Sequence, residues 1–199
     1  AVIHPDAAGV LYVDSSAASG GDGSSWAEAL NDLSDAISAA DANSSVKEIH
    51  VAEGTYYPAG TQSSTDRDTT LLITRGGLKL YGGYPQGGGE RSGTAAESGN
   101  TVLSGDIGTI GSTGDNSYHV MTIAGINAMS DSLVIDGFTF TGGNANGTGT
   151  PIAHGVEISQ NKGGGVVLNT VAGNVLFRSC DFTGNNAGSG GGLYNTTAA

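Results

Sequence analysis

The stretch Leu133-Val-Ile-Asp-Gly-Phe-Thr-Phe140 returns 42 residues later as Val175-Leu-Phe-Arg-Ser-Cys-Asp-Phe182. The copies run on into Thr141-Gly-Gly-Asn-Ala145 and Thr183-Gly-Asn-Asn-Ala187. Internal repetition constrains a fold more than any local propensity, because one supersecondary unit is being stacked on another. In both copies the large apolar residues occupy one alternating set: Leu133, Ile135, Phe138 and Phe140, then Val175, Phe177, Cys180 and Phe182. The phase slips at Asp136-Gly137 and at Arg178-Ser179, which predicts two short strands joined by a bend. A glycine run repeats too, since Gly163-Gly-Gly-Val-Val-Leu-Asn169 comes back as Gly190-Gly-Gly-Leu-Tyr-Asn195, 27 residues on. A period in the twenties, built of strands and Gly/Asn bends, predicts parallel strands stacked about 4.8 Å apart in preference to a sandwich.

Thirty-five glycines and only 13% charged residues would suit a linker, but 37% hydrophobic residues in strand alternation predict an ordered β protein rich in turns. The formal charge of −12, with no Lys/Arg cluster, repels phosphate backbones and argues against nucleic acid as a partner. No apolar run approaches the roughly 18 residues of a membrane helix, so no transmembrane segment is expected in this chain. The first residue is Ala, consistent with a removed signal peptide or a trimmed chain. Cys180 is the sole cysteine and falls in the apolar set, which predicts a small core residue.

One helix is expected. Ser25 and Glu28 have capping-box spacing, and Trp26, Leu30, Leu33, Ile37 and Ala40 recur at helical steps toward Asn43, predicting about four turns whose apolar stripe plugs one end of the stack. Short strands follow at Glu48-Ala52, Thr70-Thr74, Leu78-Tyr81, Thr101-Ser104 and Tyr118-Ile123. Residues 82–100, 106–117 and 145–162 exceed the repeat and are expected to loop out from the wall. The sequence stops just after a fresh Gly-Gly-Gly unit, which reads as a piece of a longer coil or an end that self-associates.

Leu11-Tyr-Val-Asp14, Asp22-Gly-Ser-Ser-Trp26, Glu48-Ile-His-Val-Ala52, Gly54-Thr-Tyr-Tyr-Pro58, Tyr81-Gly-Gly-Tyr84 and Leu103-Ser-Gly-Asp-Ile107 resemble the opening of secreted bacterial right-handed parallel β-helix proteins of the pectin-lyase-like superfamily. Phe182-Thr-Gly-Asn185 with Gly190-Gly-Gly-Leu193 also resembles the FxxN and GGA[ILV] units of polymorphic outer membrane proteins, although Gly192 stands where that pattern has alanine. The resemblance implies an all-β fold, a right-handed parallel β-helix (solenoid) with one N-terminal amphipathic capping helix. On that reading residues 1–199 form a single β-helix domain, with a cap over about 1–45 and five or six turns over about 46–199. It implies an extracellular or bacterial cell-surface location. It leaves function open, since such proteins include polysaccharide lyases, glycoside hydrolases, adhesins and passenger domains.

The chemistry must therefore come from a site. Hydrolysis of a glycoside needs two facing carboxylates; the nearest pairs, Asp106 with Asp115 and Asp66 with Asp68, fall in turns. A lyase would need a basic residue beside a calcium site, and Arg178 with Asp181 reads as well as a surface pair. His4, His50, His119 and His154 do not cluster as zinc ligands would, and two of them, His50 and His119, alternate outward on strands. Gly20-Gly-Asp-Gly-Ser-Ser25 approximates a calcium-binding glycine repeat, which leaves Asp14 and Asp22 as calcium candidates; no other cofactor is expected. Tyr56, Tyr57, Tyr81 and Tyr84 follow strands and are candidate sugar-stacking residues, and His154 is a candidate in the 145–162 excursion. The expected role is a non-catalytic adhesin, stalk or passenger module displaying loops to a glycan or a surface protein. The alternatives are the leading part of a lyase or hydrolase and a self-assembling fibre subunit.

Overall fold

The computed structural model describes residues 1–91 and 100–196. The chain opens with β1 (Val10–Val13), a single turn of 3-10 helix at Trp26–Glu28, and α1 (Leu33–Ala42). Then come β2 (Glu48–Ala52), β3 (Gly54–Tyr56), β4 (Leu71–Ile73), β5 (Lys79–Tyr84), β6 (Thr101–Ser104), β7 (Met121–Ile126), β8 (Leu133–Asp136) and β9 (Thr139–Thr141). The remainder is β10 (Asn144–Ala145), β11 (Ile152–Ala153), β12 (Val156–Glu157), β13 (Val166–Val171), β14 (Val175–Arg178), β15 (Asp181–Thr183), β16 (Asn186–Ala187) and β17 (Leu193–Asn195).

Three parallel sheets carry the molecule, in the orders β1-β2-β5-β8-β14, β3-β6-β9-β15 and β4-β7-β13-β17. The chain visits them in the same rotation in β2–β4, β5–β7, β8–β13 and β14–β17, which is four circuits after β1 where five or six turns were expected. The sequence repeat is the sheet register itself: Val175 lies beside Leu133, Phe182 beside Phe140, and Leu193 beside Val166. The described residues are thus mostly β, with parallel sheets, one α-helix and no closed barrel.

The alternating apolar positions converge on one core. Leu133, Ile135, Phe138 and Phe140 are all fully buried, as are Ile49, Leu80 and Leu103 of earlier circuits. In the last circuit Val175, Phe177, Cys180 and Phe182 pack on that core but are only partly buried. Phe140 and Phe182 stack at 4.9 Å with planes 7° apart, and Phe177 meets both edge-on. The expected phase slip is a left-handed residue in each copy, Gly137 at φ 85° and Ser179 at φ 45°. Gly82 opposite is needed for space, because a Cβ there would stand 2.4 Å from the Gly137 carbonyl oxygen.

The helix is shorter than its periodicity implied. Ser25 does cap a turn at Glu28, but that turn ends at once, and Asp32 caps the separate α1. Between them Leu30 runs as extended chain beside β1, its amide donating to Tyr12 and its carbonyl accepting from Asp14. Leu33, Ala36, Ile37 and Ala40 of α1 are buried in the core, whereas Trp26 lies on the outer wall. Among the described residues no helix is long and apolar enough to cross a membrane.

Candidate functional site

The four candidate tyrosines part company. Tyr56 alternates inward beside Leu103 and is 3% exposed. Its hydroxyl donates to the Ala52 carbonyl and accepts from the Ser15 amide, and burial pushes its pKa up to about 12. It is a core residue and displays nothing. Tyr57, next along, lies half-buried where the α1 cap meets the chain after β3.

Tyr81 and Tyr84 do share a surface, on the outer face of the first sheet, and residues not foreseen complete it. Registers align Tyr12, His50, Tyr81, Asp136 and Arg178 across five strands. His50 stacks on Tyr84 at 4.6 Å and meets Tyr12 and Tyr81 edge-on, while Trp26 packs on Tyr12 and Tyr84. The Arg91 guanidinium sits over Tyr81 and pairs with Asp136 at 2.7 Å. Gly88 lies against the Trp26 ring, where a Cβ would come within 2.4 Å. Neighbours thus take up much of the ring surface that a sugar would use, and the cluster acts as a seam fastening cap and loop to the wall. The outward alternation of Tyr12 and His50 was readable, but their adjacency needed the strand register. Residues 92–99 of the 82–100 excursion lie outside the described residues.

His154 lies on a different wall, at the tip of the β11–β12 hairpin. The excursion over 145–162 does not loop out as expected: its hairpin folds down on the third sheet, where Ile158 is buried with Ala124 and Val167 and packed by Val156 and Tyr194. This becomes possible because Gly125 presents no side chain; a Cβ there would fall 2.6 Å from the His154 ring. Under the hairpin runs a polar hollow of about 450 Å³ bordered by Gly125, Asn127, His154, Glu157, Asn169 and Thr170. Two smaller hollows, about 280 and 150 Å³, adjoin it through Asn169 and extend it past Val171 on one side and Lys162 and Tyr194 on the other. His154 (φ 46°) and Thr170 (φ 54°) both hold left-handed backbone, a strained conformation that for β-branched Thr170 is rare. Asn169 ties the two sides together by donating its amide to the Glu157 carbonyl, and Lys162 sits over the Tyr194 ring. Asn127, His154 and Glu157 are exposed, and among the described residues their side chains make no hydrogen bond within the groove, so their donors and acceptors face solvent.

Comparison with protein families, curated proteins and solved structures finds no match.

The calcium candidates sit in separate turns. Asp14 is 3% exposed; burial opposes its ionisation, but the Ser16 hydroxyl and amide and the Gly87 amide outweigh it and hold the carboxyl below its usual range. Asp22 accepts from the Ser24 hydroxyl and amide, which lower its pKa, and approaches His4 at 3.4 Å. Among the described residues no three His, Cys, Asp or Glu side chains converge as metal ligands. The paired loop acids likewise lock turns: Asp106 accepts from Gly111, Asp115 from Thr109 and Asp66 from Asp68. His119, expected to face outward, is 3% exposed and bonds the Gly163 carbonyl, and burial lowers its pKa.

Proposed function

We propose that this chain is a right-handed parallel β-helix module of the pectin-lyase-like kind, working outside the cell as an adhesin, stalk or passenger that binds a glycan without cleaving it. The reading is carried by the hairpin groove: a concave, polar, preformed hollow that collects amides, an imidazole, a carboxylate and a tyrosine on rigid strands. Among the described residues Glu157 is the one carboxylate lining it, whereas glycoside hydrolysis uses two. A glycan array probed with the native chain and with Asn127→Ala and His154→Ala tests this. Both residues are exposed, so folding is preserved and binding should fall about tenfold, or 1.4 kcal/mol. Absence of any bound glycan, or full retention by both variants, would overturn it.

A further inference from the structure

A second hollow, about 290 Å³, lies where the cap meets the first circuit, bordered by Asn31, Asp32, Thr55, Tyr57 and Gln62. Its frame is fixed on three sides. The Tyr56 hydroxyl clamps the floor between Ala52 and Ser15. The Asp32 carboxylate takes the Ser34 amide and hydroxyl on Oδ1, and Gly60, at φ 68°, lets the backbone close on Oδ2, where any Cβ would lie 1.8 Å away. Gln62 exchanges backbone and side-chain hydrogen bonds with Gly108. Against this rigid frame the side chains of Asn31 and Thr55 make no hydrogen bond to the described chain, and Tyr57 belongs to no ring pair, unlike Tyr81 and Tyr84.

The chemistry of the lining selects the ligand. Among the described residues no Lys, Arg or His borders the hollow to balance a phosphate, sulfate or uronate. One carboxylate falls short of the six to eight oxygens that calcium takes. What remains is an aromatic ring beside hydroxyl and amide groups and one acceptor carboxylate, which suits a molecule with an apolar face and a rim of neutral hydroxyls. We propose that this hollow is a subsite for a single neutral pyranose, stacked on Tyr57 and hydrogen-bonded by Asn31, Thr55 and Asp32. It rests on the glycan-binding reading and adds a position lined by the cap and β3, sharing no residue with the hairpin groove.

The test is a titration of the 199-residue chain with methyl glucoside, methyl galactoside and methyl mannoside, and with glucuronate and galacturonate, followed by amide shifts in NMR. At least one neutral glycoside should give saturable shifts confined to residues 31–34 and 55–62, and the uronates none. Asn31→Ala and Tyr57→Ala should each weaken that binding about tenfold, while Tyr57→Phe, which keeps the ring, should retain it. Shifts confined to the hairpin residues 152–157 would refute the subsite and leave the groove standing. Equal response to uronates, unchanged binding in Asn31→Ala, or no response anywhere would also refute it.

Discussion

Replacing Phe140 with alanine would empty the middle of the aromatic column that joins the last two circuits. The ring is fully buried, pairs in register with Leu103 on one side and Phe182 on the other, and stacks on Phe182 at 4.9 Å. A buried Phe→Ala change removes the transfer free energy of the ring and leaves a cavity, together about 3 to 5 kcal/mol. In a chain of this size each kcal/mol moves the midpoint by about 2 to 4 °C, so Tm should fall by about 6 to 20 °C. Phe182 is covered from one side only, and Phe182→Ala should cost about half as much. The double variant should show a coupling of about 0.5 to 1.5 kcal/mol from the lost stack. Urea and thermal unfolding of the four proteins by circular dichroism measures all three quantities. A loss below about 1 kcal/mol for Phe140→Ala, or strict additivity of the two changes, would refute in-register stacking as the source of stability.

Three further outcomes are expected. Tyr56→Phe should destabilise by about 1 to 2 kcal/mol through its lost hydroxyl bridge. Because burial raises Tyr56 to about 12 from an unfolded value near 10, stability should decline as pH climbs through that interval, and the variant should show a shallower decline, with Tyr84 keeping its share. His119 has the opposite sign: its folded pKa is lowered, so the unfolded chain takes the proton first and stability should drop as pH falls below about 6.5; His119→Gln should flatten melting curves between pH 7 and 5. Asn185→Ala removes a bond to the Phe140 carbonyl and one from the Gly143 amide, costing about 1 to 3 kcal/mol by urea titration.

The stacking was legible because repetition encodes register. The 42-residue and 27-residue offsets reappear as strand partners, and the phase slip reappears as the left-handed Gly137 and Ser179. The cap was half legible: Leu33, Ile37 and Ala40 belong to one helix, but Leu30 fits the same spacing while bridging to β1, since periodicity cannot distinguish a helical step from a chance match across a break. In Tyr56-Tyr57 the doublet hid which ring points inward, because strand phase was set by Leu103 in the neighbouring circuit. The hairpin groove was least legible. It depends on Ile158 finding the flat wall at Ala124 and Gly125, more than 30 residues earlier, and no local pattern announces such a meeting.

The corner between β10 and β13 has a consequence for how such a molecule can change. Asn144 and Asn186 are linked across it on one side, and Val166 and Leu193 pair on the other, so both flanks stay anchored whatever is threaded between them. The inserted hairpin rests on the wall without entering the central stack of rings and aliphatic chains. Such a corner works as a socket: the insert can be exchanged, while the architecture that holds it keeps its own stability.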